Sequence, residues 1–458
     1  MHLLTFQRLL WSAAFSLPTV VAIVEHVFEA PSAQTNGFLR RFIADDSKTL
    51  IEVLKIAQAE EMDIWQIRKD FVDIYSPPSS PGIPSALRSM RHSSTNLISV
   101  PEPRPRLRHP DWNLTSLQNT TFHAEFHPQA EVDAFMVDLA RLHPDSVSIL
   151  HLGHSGEERE MLGMKISTPS NTRKLGFIVL GPQHAREWVA TSTALYLAHA
   201  LLANASEPNS LAYLLDVYDF HIIPSPNPDG YEYTWDADRF WYKNRQIVGP
   251  GAKCVGIDMN RNWGDHWKPH AKYPLLWEDD DLKKKKKKKA EPADPCSHWY
   301  PGHRAFEAPE VNNLANYITK VNGVGKGAGK GGIVAFLDLR SYGQMLATPY
   351  SYKCDKLPKD AEDQMEALLG AAQAGRSVYG TQFSTGTLCE LLYRAPGNIL
   401  DYVYKAASIK YTYAAFLRDT GTYGFAIPPA WIRPVGQETG AMVEYLARFI
   451  ARQRGIPL

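Results

Sequence analysis

Residues 175–181 read LGFIVLG, a stretch without one polar side chain. A short apolar run of this kind is a strand buried on both faces, and such a strand needs cover above and below its sheet. The next residues can supply that cover. Ala194, Leu197, Ala198 and Leu201 recur at helical spacing and form one apolar stripe. From about His123 onward the alternation repeats. QAEVDAFMVDLARLHP is an amphipathic helix, YDFHIIPSPNPDGY a strand ending in a turn cluster, and GGIVAFLDLRSYGQM and IKYTYAAFLRD are further strands. GQETGAMVEYLARFIARQR closes the chain as a helix with Met442, Leu446, Phe449 and Ile450 inward. The expected fold class is α/β, a mixed central sheet with helices on both faces.

This domain is expected over 119–458, and a small α/β unit over 23–75 precedes it. In that unit FLRRFIA is a strand. DSKTLIEVLKIAQAEEM is a helix capped by Asp46 or Ser47, with Leu50, Val53, Leu54 and Ile56 near helical spacing. DIWQIRKDFVDIYS reads as mixed helix and strand. Between the two, residues 76–118 turn to Pro, Ser and Arg and read as a linker without a packable core. Its Arg104, Arg106 and Arg108 are open to a basic-site protease.

Arg8 precedes an apolar stretch from Leu9 to Val24, short for a membrane span and suited to a secretory signal over 1–22. No other stretch approaches the ~18 apolar residues of a spanning helix. Sequons at Asn113, Asn119 and Asn204 agree with secretion. Formal net charge is zero, so nothing points to nucleic acid, and the block Lys283–Lys289 reads as a solvated surface loop. The four cysteines, Cys254, Cys296, Cys354 and Cys389, form no CxxC pair, which argues against a zinc knuckle. An even count in a secreted chain favours two disulfides. The economical pairing is 254–296 with 354–389, one of three connectivities.

GPQHAREW, residues 181–188, places His184 and Glu187 three apart where the buried strand turns into its helix. Open α/β sheets put ligands at such strand ends. An imidazole and a carboxylate at this spacing can share a metal ion, yet a catalytic zinc takes three protein ligands and a water. Four further segments accompany the pair: NPDGYEYTWDADRFWYKNR (227–245), CVGIDMNRNW (254–263), SYGQM (341–345) and LRDTGTYGF (417–425). In this order they resemble the secreted zinc carboxypeptidases of the pancreatic A/B type, from about residue 123 to the C-terminus. The resemblance implies that His184 and Glu187 are two zinc ligands and that Arg186 is a cation near the scissile carbonyl. Asn260 and Arg261 would grip the substrate's terminal carboxylate, a task a guanidinium fork suits. Ser341 joins the substrate-binding set, Tyr393 matches a mobile tyrosine that closes over the substrate, and Leu400 falls at the pocket floor. An apolar floor favours apolar or aromatic peptide ends. A Cys254–Cys296 disulfide is implied too, and the 23–75 unit looks like an inhibitory prosegment.

Three positions depart from that pattern. The third zinc ligand should be a histidine directly before SY, and it is Arg340. A guanidinium has donors only and keeps its proton, so it cannot ligate a cation. The general base should be a glutamate directly before LRDTG, and it is Phe416. An oxyanion-stabilising arginine should precede Lys243, and it is Tyr242. His266, His298 and His303 lie between the motifs and match nothing in the family. Losing a general base costs about 10²- to 10⁴-fold, and losing an oxyanion donor about 10²- to 10³-fold.

The expectation is a catalytically inactive member, most like the fungal inactive subgroup associated with the secretory pathway, vacuole and cell-wall organisation. Zinc binding should be weak or lost, with Arg340 pairing Glu187 through two parallel bonds and His184 accepting from a nearby donor. Partners would be peptide or protein C-termini, the chain a monomer, its location secreted or vacuolar. The alternatives are an active zinc carboxypeptidase releasing apolar or aromatic C-terminal residues through a rearranged site, and a scaffold whose pocket is residual.

Overall fold

The apolar run becomes an inner strand of an eight-stranded mixed sheet. The computed structural model describes residues 37–97, 112–269, 293–323 and 332–458. The expected signal segment 1–22, the arginines at 104, 106 and 108 and the lysine block 283–289 lie outside the described residues.

Four strands form a small N-terminal sheet: β1 (Phe38–Ile43), β2 (Asp63–Ile67), β3 (Phe71–Ser76) and β4 (His92–Asn96), in the order β2-β3-β1-β4. Helix Ser47–Ala59 packs on them, its N-terminus capped by the Asp46 carboxylate on the Thr49 amide. Two expectations fail here. Residues 63–76 hold no helix; β2 and β3 are an antiparallel hairpin closed by Arg68 N–H donating to Phe71 O at 2.9 Å. Nor is 76–118 a coreless linker where it is described. β4 pairs with β1, Leu87 and Leu97 are buried, and Trp112, Leu114 and Leu117 join the main core. Leu87 and Leu97, ten residues apart, show no period, and each joins a different core cluster from Trp112, Leu114 and Leu117.

The main sheet adds β5 (Val147–His154), β6 (Glu160–Ile166), β7 (Leu175–Leu180), β8 (Tyr218–Ile223), β9 (Ile333–Arg340), β10 (Met345–Thr348), β11 (Ser384–Thr387) and β12 (Tyr411–Phe416). Their order is β11-β10-β12-β9-β7-β8-β6-β5, and β8, β7, β9 and β12 run parallel. Alternate side chains feed two cores. Phe177 and Val179 enter one, under helices Gln129–Leu142, Trp188–Leu202, Ala361–Tyr379 and Ile432–Gln453. Ile178 and Leu180 enter the other, with helices Pro309–Asn322 and Ile399–Lys405. Helices therefore cover both faces, as expected.

Helix Trp188–Leu202 departs from its expected single stripe: every residue from Trp188 to Leu201 is buried. The sheet lies under it and helix Ile432–Gln453 lies beside it. Met442, Leu446, Phe449 and Ile450 are inward as anticipated. Cys254–Cys296 and Cys354–Cys389 are the disulfides. Asn113, Asn119 and Asn204 are exposed. Among the described residues no helix is long and apolar enough to cross a membrane.

Gly181 brings the β7 exit loop hard against the end of β8. A Cβ there would lie 2.0 Å from the Pro224 carbonyl oxygen. That atom is backbone and cannot rotate away, so Gly181→Ala should cost about 1–3 kcal/mol, in line with overpacked cores. A denaturant midpoint equal to that of the parent chain would contradict this close approach.

Candidate functional site

The parallel strands β7, β9 and β12 deliver the site at their carboxyl ends. The loop after β7 is pinned by Asn227 Nδ2 donating to Gln183 O at 3.0 Å and by Ala185 N–H donating to Tyr242 O at 3.1 Å. That holds His184 and Glu187, both buried, just before helix Trp188–Leu202. Arg340 ends β9 and Phe416 ends β12, and the two are direct cross-strand partners.

Arg340 is the hub. Its Nε donates to Glu187 Oε2 at 2.9 Å and its Nη2 to Glu187 Oε1 at 3.0 Å, the two parallel bonds of a bidentate pair. Nη2 also donates to Nδ1 of His184. Since the guanidinium has donors only, Nδ1 must present its lone pair there, which assigns the ring proton to Nε2. Nε2 faces Asp258 Oδ1 at 2.8 Å. The 3.1 Å approach of Glu187 Oε1 to Nδ1 is then a contact inside the fork. Ser341 N–H adds a bond to Glu187 Oε2 at 3.1 Å.

Charge follows geometry. Burial pushes the Glu187 carboxyl up, but the Arg340 guanidinium outweighs it and holds the group below its usual range. The same balance holds Asp258 down, through His184 and Arg261. Asp338 stands behind the hub, its Oδ2 3.6 Å from Arg340 Nη1; there burial prevails and lifts the carboxyl to about 7. The Phe416 ring lies 5.4 Å from the guanidinium carbon. Tyr242 stacks on His184 at 3.8 Å between ring centroids, and Arg186 lies over its ring at 4.8 Å.

The structure thus brings His184, Glu187 and Arg340 together, but not as a metal set. Both Glu187 oxygens and the His184 Nδ1 lone pair, the atoms a cation would share, are taken by Arg340. Among the described residues, no group of three or more His, Cys, Asp or Glu side chains is arranged to hold a metal ion. The side chains present do not fit the zinc that the resemblance implies. The other histidines do not mend this. His266 pairs with Asp265 and stacks on Tyr352, and His303 faces Glu307. His298 does line the cavity, but it faces Asp63 at 3.3 Å and stacks on Tyr242.

At the other end of the cavity, Arg261 Nη1 donates to Asn260 O at 2.8 Å and Nη2 donates to the Tyr393 hydroxyl at 2.9 Å. The tyrosine is therefore already folded down onto the guanidinium. Asn260 Oδ1 accepts from Ile399 N–H at 3.0 Å, which fixes it at the start of helix Ile399–Lys405. Leu400 does not reach the cavity, contrary to expectation. It occupies the first turn of that helix with its side chain in the core. The apolar wall is made instead by Leu388, Leu392, Ala395 and Phe416.

The small N-terminal sheet forms the roof. Ile64, Trp65, Gln66 and Ile67 of β2 line the same cavity as His184 and Arg261. Arg186 Nη1 donates to both oxygens of Asp63, each at 2.9 Å. Burial alone would raise the Asp63 carboxyl, yet Arg186 and His298 hold it well below its usual range. Trp65 packs among Tyr75, Phe240 and Phe425, and Gln66 Nε2 donates to Tyr342 O at 2.9 Å. A second latch runs from Arg41 through buried Asp73 to the Tyr342 hydroxyl, with bonds of 2.7 Å throughout.

Asp63, Asp258, Asp338, Leu388 and Leu392 were not singled out from sequence. Asp258 had a local signal, sitting two residues before Asn260 in IDMNRN. Asp338 had the same kind of signal, two residues before Arg340 in LDLRSY, and Leu392 stands directly before Tyr393; Asp63 and Leu388 had none.

With this geometry in place, the comparisons are specific. The zinc carboxypeptidase family profile matches residues 132–442. A metallocarboxypeptidase A-like protein of Trichophyton verrucosum is 31% identical over 426 residues, covering 90% of this chain and 93% of that one. The inactive metallocarboxypeptidase ECM14 of Saccharomyces cerevisiae is 30% identical over 419 residues, covering 90% and 91%. Among solved structures, thrombin activatable fibrinolysis inhibitor is similar at a TM-score of 0.74 and 24% identity, over 91% of this chain and 99% of that one. At that identity the likeness concerns the fold.

Proposed function

This chain belongs to the zinc carboxypeptidase family, and from that premise we propose that it is a non-catalytic member whose pocket holds the carboxyl end of a peptide without cutting it. One observation carries the reading. Where proton transfer would need a titratable group, the Phe416 ring faces a guanidinium already committed to Glu187. A benzene ring cannot take a proton from water, and Tyr242, with its hydroxyl pushed well above the usual range by burial, adds no cation beside a developing oxyanion. The name of the yeast relative, inactive metallocarboxypeptidase, supports the same view.

What remains is recognition. Arg261 and Asn260 stand at one end of the cavity, with Leu388, Leu392 and Phe416 as an apolar wall. A free carboxylate could replace the Tyr393 hydroxyl on Arg261, with the last side chain against that wall. Segment 37–97 is proposed as a prosegment-like cover, because β2 closes the cavity and Asp63 neutralises Arg186. A secretory route is proposed from the apolar N-terminal stretch and from two disulfides, which rarely persist in the cytosol. A vacuolar or cell-wall role belongs to the same proposal.

The test is calorimetry with one peptide ending in Phe or Leu, as free acid and as amide. It is run on the intact chain and after limited cleavage within 104–108. The acid should bind more tightly, and neither form should be hydrolysed. Equal affinities for the two forms would remove the carboxylate grip, and turnover lost on His184→Ala would remove the non-catalytic reading.

A further inference from the structure

We infer that Arg340 is a built-in cation standing where a metal would stand, so that this pocket is assembled by a guanidinium and neither needs nor admits zinc. The inference deepens the non-catalytic reading and shares its residues.

Three observations converge. The first is stoichiometric. The Arg340 donors engage Glu187 Oε1, Glu187 Oε2 and His184 Nδ1 together. A bound cation would have to take those same lone pairs while sitting against a group that does not deprotonate. Metal entry therefore requires Arg340 to leave and a buried carboxylate to be paired again.

The second observation is orientation. Asp258 accepts from His184 Nε2 and turns Nδ1 toward the hub. A carboxylate behind a histidine is how metal centres fix ligand tautomer and direction. Here the supporting bond is kept and the cation is exchanged, so the imidazole addresses a guanidinium.

The third is the neighbouring strand. Arg340 and Phe416 are paired in register, and the ring covers the guanidinium at 5.4 Å. A carboxylate at position 416 would compete with Glu187 for Arg340. An aromatic ring offers its face and no lone pair, so it tolerates the cation without drawing it away. The departures at 340 and 416 thus read as one coupled exchange, each making the other acceptable.

The experiment uses the full chain purified without chelator. Zinc content is read by elemental analysis, and thermal unfolding is followed with added zinc and with EDTA. The parent should carry far less than one zinc per chain, with the same Tm in both media. Arg340→His should take up a zinc and gain a Tm that rises with zinc and falls with EDTA. A stoichiometric zinc retained by the parent through dialysis would overturn the inference. So would an Arg340→His chain that folds and takes up none, because Arg340 would then not be what excludes the metal. If that variant does not fold, the parent's zinc content and Tm decide alone. Neither readout involves a peptide, so failure here and failure of the peptide-end reading are separately visible.

Discussion

Arg340→Met is expected to destabilise the fold by about 3–5 kcal/mol, the usual cost of stripping the partner from a buried ion pair. Glu187 is 1% exposed. Without Arg340 it would keep only the Ser341 amide and the edge of His184. The penalty is that of a stranded charge, which does not mean the pair itself contributes so much. Replacing both partners with apolar residues of similar volume is often neutral or stabilising. The double variant Arg340→Met with Glu187→Leu should therefore recover most of the loss, even though it removes more polar contacts than the single change. Urea unfolding of the intact chain measures both, with an unchanged m-value as the sign that only stability moved. A single-variant loss under about 1 kcal/mol would fit an exposed pair and contradict the buried hub. A double variant as weak as the single one would show that packing, not charge, is what Arg340 supplies.

The hub was legible in the sequence for a particular reason. Ordered motifs placed 184, 187 and 340 at one centre, and the chemistry of a guanidinium beside a carboxylate then left few arrangements. The roof was not legible. Asp63 and Arg186 are 123 residues apart in the chain, and Arg41 is 379 residues from the Thr420 carbonyl it donates to. No periodicity or spacing encodes such meetings. The hairpin at 63–76 escapes a reading by pattern because strands of five and six residues do not separate strand from helix by period alone. The stretch 76–97 escapes it because its composition is that of a linker while two leucines, Leu87 and Leu97, anchor it. Leu400 shows a finer limit. Position in a motif located it within one turn of the cavity, but Asn398 caps the helix by accepting from the Leu400 amide at 3.0 Å. That cap fixes the turn so that the leucine enters the core. Only coordinates carry such a rotation.

Arg261 and Tyr393 should answer substitution with opposite signs. In the structure the Tyr393 hydroxyl holds the place on Arg261 that a terminal carboxylate would take, and Tyr393 packs in turn against the core of the small N-terminal unit. Peptide binding must therefore displace a bond the protein already makes. Arg261→Gln removes the fork. Truncating one side of a buried charge-assisted pair costs about 2–5 kcal/mol, and each 1.4 kcal/mol is about tenfold in affinity. The free-acid peptide should weaken at least about thirtyfold, down to the affinity of its amide, while the amide itself changes little. Tyr393→Phe removes only the competing hydroxyl and leaves Arg261 in place. Its acid preference should be kept or increased. Calorimetry on both variants, with unfolding midpoints checked for each, decides the matter. Two losses of equal size would mean that Tyr393 holds the peptide through its hydroxyl instead of occupying its place. No loss in Arg261→Gln would mean that the peptide's carboxylate is held elsewhere in the cavity.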